Sequence, residues 1–191
     1  MTVSRKNLIL DKAMELVIAE GLDQLTMGKV ARRVGFTEPA MYRHFANKQE
    51  LVIQLIRRLG DGFDTVFRRF SPDAPPAVFF PAYFDALLEY LQRVRGVTFQ
   101  FLSASAYNSD DAIRRELQDL FLAQLGRISG YLRGAAARGE LRPGVDPEAA
   151  ALCFMGIGQA LVTRALLTSW RADNGGGSRQ ALDVFLKGVL A

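Results

Sequence analysis

The residues able to do covalent or metal chemistry are few in this chain. Cys153 is its single cysteine and His44 its single histidine. One cysteine excludes an intramolecular disulfide framework and a thiolate zinc cluster, and one histidine excludes a multi-histidine metal site. Cys153 lies in an apolar run, and no paired carboxylates stand out for acid–base work. Asp110-Asp111 reads as the cap and start of a helix, where negative charge meets the positive end of the macrodipole. Gly156-Ile157-Gly158-Gln159-Ala160-Leu161 has leucine where the third glycine of a dinucleotide loop belongs, and no strand precedes it. A small enzyme is therefore the weakest reading, and neither cofactor nor metal is expected. Binding chemistry remains.

The chain has 191 residues, 49% of them hydrophobic and 23% charged, a globular composition with enough length to bury a core. Its formal net charge of +4 is carried entirely by residues 1–70, and residues 71–191 balance. Lys6, Lys12, Lys29 and Lys48 all fall in that first segment. A basic head on a neutral body is the outline of a module that meets a polyanion at one end. An excess of four charges also arises by chance, so the motif has to decide. The start of the chain has no long apolar signal region. Its longest uncharged stretch, Ala149–Thr163, is fifteen residues, short of the roughly 20 that span a bilayer. A cytoplasmic protein is expected.

Helical periodicity dominates, and no convincing alternating strand appears, so the predicted fold is all-α. Ser4 can N-cap a first helix with Ile9, Ala13, Leu16 and Val17 on one face, and Gly21 suits its end. Thr26 starts a second helix, over 27–34, that buries Met27, Val30, Ala31 and Val34 and ends at Gly35. Thr37 caps a third over 38–45, with Pro39 in its first turn. Asn47 and Glu50 resemble a capping box opening a fourth helix over 48–70, with Leu51, Leu55, Leu59, Phe63, Val66, Phe67 and Phe70 along its apolar face. The prolines of 71–76 mark the expected domain boundary. Residues 1–48 would be the head, 48–70 the connecting helix and 71–191 the body. Further helices are predicted near 78–95, 97–107, 110–138, 147–172 and 179–190. Pro81 would sit in a first turn or at a kink, and Asn174–Ser178 in a loop.

Two short helices joined by a tight turn at Gly35 form a helix-turn-helix pattern, whose second helix enters the major groove. Ala31 allows the close crossing, while Val30, Val34, Phe36, Ala40, Met41 and Phe45 can supply the core. The run from Ile9 to Leu51, and above all Gly35-Phe36-Thr37-Glu38-Pro39-Ala40-Met41-Tyr42-Arg43-His44-Phe45-Ala46-Asn47-Lys48, resembles the N-terminal domain of the TetR family of bacterial transcriptional regulators. That run is about a quarter of the chain. The resemblance implies an all-helical homodimer, with a three-helix DNA-binding head and a larger body that dimerises and binds a small effector.

On that footing the DNA-binding residues are Thr26, Lys29, Thr37, Glu38, Pro39, Ala40, Tyr42, Arg43, His44 and Lys48. Lys48, at the start of the fourth helix, can reach a phosphate. Tyr42 and His44 match positions that hydrogen-bond phosphate or pack the recognition helix. Thr26 and Thr37 cap helices whose N-termini also receive phosphate. Arg43 and Lys29, and Arg32 or Arg33, are either solvated or in the groove. Glu38 and Pro39 depart from the family's usual residues. Glu38 either stabilises its helix or accepts from a cytosine N4. These departures bear on the operator sequence.

Seven of the 23 residues from Phe79 to Phe101 are aromatic, which suggests an apolar cluster at the centre of the body. The rings are core packing individually, or collectively line a ligand cavity. The candidate ligand-binding residues are Phe84, Phe99, Leu102, Tyr107, Phe121, Gln124, Cys153, Phe154 and Ile157, with Gln100, Ser103, Asn108, Gln159 and Thr163 as further polar anchors. Pro147–Trp170 is apolar on most faces and must be covered on several sides. The resemblance places the last two helices in an intersubunit four-helix bundle, with Ala160, Leu161, Arg164, Ala165, Thr168 and Phe185 near the interface. The expected function is a regulator, a repressor that binds a palindromic operator as a dimer and is released by a small, mostly apolar effector. The alternative is a DNA-binding dimeric adaptor regulated by a protein partner.

Overall fold

A computed structural model of the chain describes residues 4–98, 100–102, 110–168 and 176–191. Its helices are α1 (Arg5–Glu20), α2 (Met27–Val34), α3 (Glu38–Met41), α4 (Lys48–Phe67), α5 (Pro76–Arg93), α6 (Asp111–Ala137), α7 (Pro147–Leu167) and α8 (Gly176–Val189). Residues 97, 98 and 100–102 are helical too. Among the described residues there is no strand, only an isolated antiparallel bridge between Leu141 and Leu190. The fold is all-α.

Local chemistry sets most of the helix ends. Gly21 closes α1 at φ 93° and Gly35 closes α2 at φ 78°, backbone conformations that a side chain resists. The Thr26 hydroxyl accepts the Lys29 amide at 3.2 Å and so caps α2. Asn47 Oδ1 accepts the Glu50 amide at 2.8 Å, while Glu50 Oε2 accepts the Ala46 amide at 2.6 Å. The capping box is therefore real, but its return bond lands one residue before the cap.

Other ends differ from expectation. Ser4 and Thr37 stand at N-cap positions without a side-chain cap bond. α3 stops at Met41, where a helix to residue 45 was expected. His44 N–H instead donates back to the Met41 carbonyl at 2.9 Å, three residues away, a tighter turn than the α-helical ladder. α4 ends at Phe67, not 70. α5 starts at Pro76 and holds Pro81 within it, past the first turn, so the Ala77 carbonyl lacks its usual amide partner. Gly176, Gly177 and Ser178 belong to α8 rather than to a loop. Asn174, Gly175 and residues 103–107 of the predicted 97–107 helix lie outside the described residues.

The chain divides into two compact units, each discontinuous in sequence. The first comprises Met1–Asp61 and Gly96–Leu120, the second Gly62–Arg95 and Phe121–Ala191. The proline segment at 71–76 ends a helix without ending a unit, because the contacts that define a unit are made by α4 and α6, which each contribute residues to both.

In the first unit Ile9, Ala13, Leu16 and Val17 of α1 pack with Val30, Ala31, Met41, Phe45, Leu51 and Leu55, all almost wholly buried. Val34 is only half-buried. The second unit is built on rings. Phe79 stacks on Tyr131 with centroids 3.8 Å apart, and Phe67 and Phe70 meet Phe79 and Tyr83 edge-on. Phe80 meets Phe154 and Phe185. The Tyr131 hydroxyl donates to the Ala74 carbonyl at 2.6 Å, pinning the proline segment to this core.

Candidate functional site

The first unit sorts its positive charges into two groups. Lys29 Nζ lies 3.1 Å from Glu20 and 2.7 Å from the Gln24 side-chain oxygen, and Arg33 lies 2.5 Å from Glu20. The Lys29 ammonium, and after it the Arg33 guanidinium, hold the Glu20 carboxyl below its ordinary value. Arg57 pairs with Glu116 at 2.9 Å, Lys12 with Glu15 at 2.8 Å, and Arg58 with Asp11. Lys6 lies over the Phe45 ring. Arg32, Arg43 and Lys48 are exposed and make no ion pair with any described residue.

The helix-turn-helix leaves most of the expected residues at the surface. Thr26, Thr37, Glu38, Pro39, Tyr42, Arg43 and Lys48 are exposed, and Ala40 and His44 half-buried. Tyr42 is 50% exposed, which leaves its hydroxyl available to a partner. His44 stacks on Phe36 with centroids 6.3 Å apart, a packing contact within the turn. Glu38 Oε2 would stand 2.7 Å from a Cβ placed on Gly28, so this carboxylate folds back over the first turn of α2. There it meets the positive end of the α2 macrodipole. Lys29, an expected contact, is engaged by Glu20 and Gln24. Arg32 and Arg33 are equivalent candidates in sequence, and the structure separates the two. Their adjacency gives no sign of which one finds Glu20.

Contacts from residues 96–120 hold this head in its unit. Gln100 Oε1 accepts the Leu22 amide at 3.0 Å, so it serves the head rather than a ligand. Gln49 Nε2 donates to both Asp110 oxygens at 2.8 and 2.9 Å. Asp110 also caps α6 by accepting the Ala112 and Ile113 amides. The Gln49 hydrogen bond, more than these amides, draws the Asp110 carboxyl below its ordinary value.

The candidate ligand-binding residues separate. Phe84 and Phe154 are buried in the second unit with ring centroids 6.0 Å apart, and Gln124 is buried there too. Ile157 is half-buried, while Phe121 and Cys153 are exposed. Leu102, 42% exposed, belongs to the first unit. Phe99, Tyr107, Ser103 and Asn108 lie outside the described residues. Among the other polar anchors, Gln159 is exposed and Thr163 donates to its carbonyl at 2.9 Å. Among the described residues no group of three His, Cys, Asp or Glu could hold a metal.

α7 is long and apolar enough to cross a membrane by length and composition alone, though Glu148 and Arg164 stand on it. Its apolar residues are not covered on several sides as expected. Only Ala150, Ala151, Phe154, Gly158 and Val162 are buried, while Leu152 is 44% and Leu167 82% exposed. Of the expected interface residues, Ala160, Arg164 and Thr168 are exposed, and Leu161 and Ala165 half-buried. Phe185 is instead buried within the protomer, against Phe80 and Phe154.

Residues 9–55 match the family model of bacterial regulatory proteins of the tetR family, and residues 82–174 that of the tetracyclin repressor-like C-terminal domain. The chain is similar to a fatty acid metabolism regulator protein of Bacillus subtilis (strain 168), 22% identical over 95% of this chain and 93% of that protein. It is similar to a nucleoid occlusion factor SlmA of Marinobacter nauticus, 26% identical over 78% of this chain and 74% of that protein. The fold is shared with the transcriptional regulator FadR from Bacillus subtilis in complex with stearoyl-CoA, at TM-score 0.80 and 19% identity over 95% of this chain and 97% of that one. With its helix-turn-helix head and its helical body each matched by a model of the family, this chain is a member of the TetR family of DNA-binding transcriptional regulators.

Proposed function

We propose that the chain is a cytoplasmic repressor that binds a palindromic operator as a homodimer and is released by a small, mostly apolar effector. The observation that carries the DNA side is the sorting of cations. Lys29 and Arg33 are held by Glu20, whereas Arg43 and Lys48, beside α3, are exposed and form no ion pair with any described residue. Exposed cations next to a recognition helix neutralise phosphates, and the counterions they displace make binding salt-dependent. Tyr42, Thr26 and Thr37 would add hydrogen bonds to the backbone, with Pro39 and Ala40 facing the groove.

Dimerisation through α7 and α8 would cover Leu152, Leu167 and Val184, the last 72% exposed in one protomer. The effector would occupy the second unit near Phe84, Phe154, Ile157 and Gln124. Phe121 and Cys153 would be at its edge, and Leu102, Phe99 and Tyr107 are further candidates. An effector with an apolar part is supported by this ring-rich core and by the stearoyl-CoA complex of the Bacillus subtilis neighbour, whose ligand carries a long acyl chain. Binding would favour one conformation of the body, and α4 and α6, which supply residues to both units, would transmit it to the heads.

Titrating the chain onto DNA from its own promoter region at several salt concentrations tests the reading. Lys48→Ala and Arg43→Ala should each reduce the salt slope by about 1, and Lys29→Ala should change it much less. Salt-independent binding, or slopes unmoved by Lys48→Ala, would sink the proposal. The similarity to a nucleoid occlusion factor favours a second reading, a DNA-binding adaptor controlled by a protein partner. That reading gains if no small molecule raises the melting temperature while the operator still binds.

A further inference from the structure

The second unit buries two hydrogen-bond donors that no described residue satisfies. Gln124, 8% exposed, and Arg127 stand three residues apart on α6, and therefore on one face. Gln124 Nε2 and Arg127 Nη1 are both sealed from solvent, and neither has a hydrogen-bond partner among the described residues. Arg127 Nε lies 2.9 Å from Asp64 Oδ1. The same aspartate reaches Arg68 at 2.6 Å, so one carboxylate is shared between two guanidiniums and the triad keeps a net charge of +1. Beside it stands the phenol of Tyr83, which senses the Arg127 charge. The Tyr83 ring contacts Phe67, Phe79 and Phe154.

An unmet buried donor costs the folded state its full desolvation penalty, and two adjacent ones on an incompletely neutralised cluster are rarely left without a purpose. Apolar replacements would pack more favourably in a ring-lined core. We propose that Gln124 and Arg127 form the head-group site of the effector, and that the effector is a monocarboxylate on an apolar body. The carboxylate oxygens accept from Gln124 Nε2 and Arg127 Nη1 and cancel the residual positive charge. The rings around Tyr83 receive the apolar part. This assignment rests on the proposed effector function and adds to it the chemical class of the ligand and the residues that select it.

The test uses the full-length chain and two pairs of probes matched in body: decanoate with 1-decanol, and 2-naphthoate with 2-naphthalenemethanol. Affinity is read by calorimetry and melting temperature by thermal shift, for the wild type, Gln124→Leu and Arg127→Met. At least one carboxylate should bind about tenfold more tightly than its alcohol, and both variants should bring the affinity for that carboxylate down to the level of its alcohol. Gln124→Leu should also raise the melting temperature of the unliganded protein, because it removes an unmet donor. Three results would overturn the proposal. Carboxylates and alcohols could bind alike, which rejects this head-group site and leaves an apolar effector standing. Gln124→Leu could lower the unliganded melting temperature without changing carboxylate affinity, which assigns the donor to a structural water. No probe could bind at all, which counts against an effector in this unit and against the head-group site with it.

Discussion

Two helical glycines show how differently one missing methyl group can be used. A Cβ on Gly62 would fall 2.2 Å from the Tyr90 hydroxyl and 2.4 Å from its ring carbon Cζ. That ring packs edge-on against Phe63 at 4.9 Å, so making room for a methyl group would disturb this packing. Gly62→Ala should therefore destabilise the protein by about 1–3 kcal/mol, measured by urea unfolding, the usual cost of overpacking a core. A Cβ on Gly28 meets only the far end of the exposed Glu38 side chain at 2.7 Å. Glu38 can swing away, and alanine is the better helix former by up to about 1 kcal/mol. Gly28→Ala should thus leave stability unchanged or raise it. A loss comparable to that of Gly62→Ala would mean that the Glu38 carboxylate is fixed where it lies.

At the scale of elements, what could be read from the sequence was what depends on near neighbours. Thr26 and Asn47 cap because the amides they serve lie three residues on, and Gly21 and Gly35 end helices by a property of their own backbone. Thr37 looks equivalent to Thr26 in sequence but stands ahead of a helix of only four residues, and its hydroxyl makes no cap bond. Thr26→Ala should cost about 1 kcal/mol of stability in thermal unfolding, the ordinary value of a cap, and Thr37→Ala close to nothing. If Thr37→Ala nonetheless weakens operator binding, its hydroxyl serves DNA and not the helix. Partners from distant residues were not legible. Nothing near Gln49 announces Asp110, nothing near Leu22 announces Gln100, and no local pattern marks Glu20 as the residue that engages Lys29. The candidate interface was thus legible as a motif, and the sorting of its charges was not. Apolar periodicity in α7 was equally legible, but it promises burial without saying whether the cover comes from the same chain.

The molecule as a whole should be sensitive to alkali. Burial pushes the phenols of Tyr83 and Tyr131 up to about 12 from 10.0, the nearby charges of Arg127 and Arg138 opposing the shifts only weakly. Below pH 10 both rings are neutral in folded and unfolded chains alike. From pH 10 to about 12 the unfolded chain gives up these protons while the folded one retains them, so stability falls as pH rises. The melting temperature should decline through that window, and Tyr83→Phe should make the decline shallower. An identical slope in that variant would show that the Tyr83 phenol is not held neutral by the fold. Assembly belongs to this scale as well. If a second copy covers α7, Leu167→Glu should convert a dimer to a monomer in sedimentation and abolish tight operator binding. A wild-type monomer, or a variant that stays dimeric, would refute that interface.

The discontinuity of the two compact units bears on how such regulators can be recombined. A head exchanged at the proline break would take Leu22, Gln49 and Arg57 but leave behind Gln100, Asp110 and Glu116, which bind them within the first unit. Such a chimera would confront a foreign segment with three unmatched polar groups. A graft that carries residues 96–120 along with residues 1–61 keeps those bonds intact, so the transplantable module is two pieces of sequence, not one.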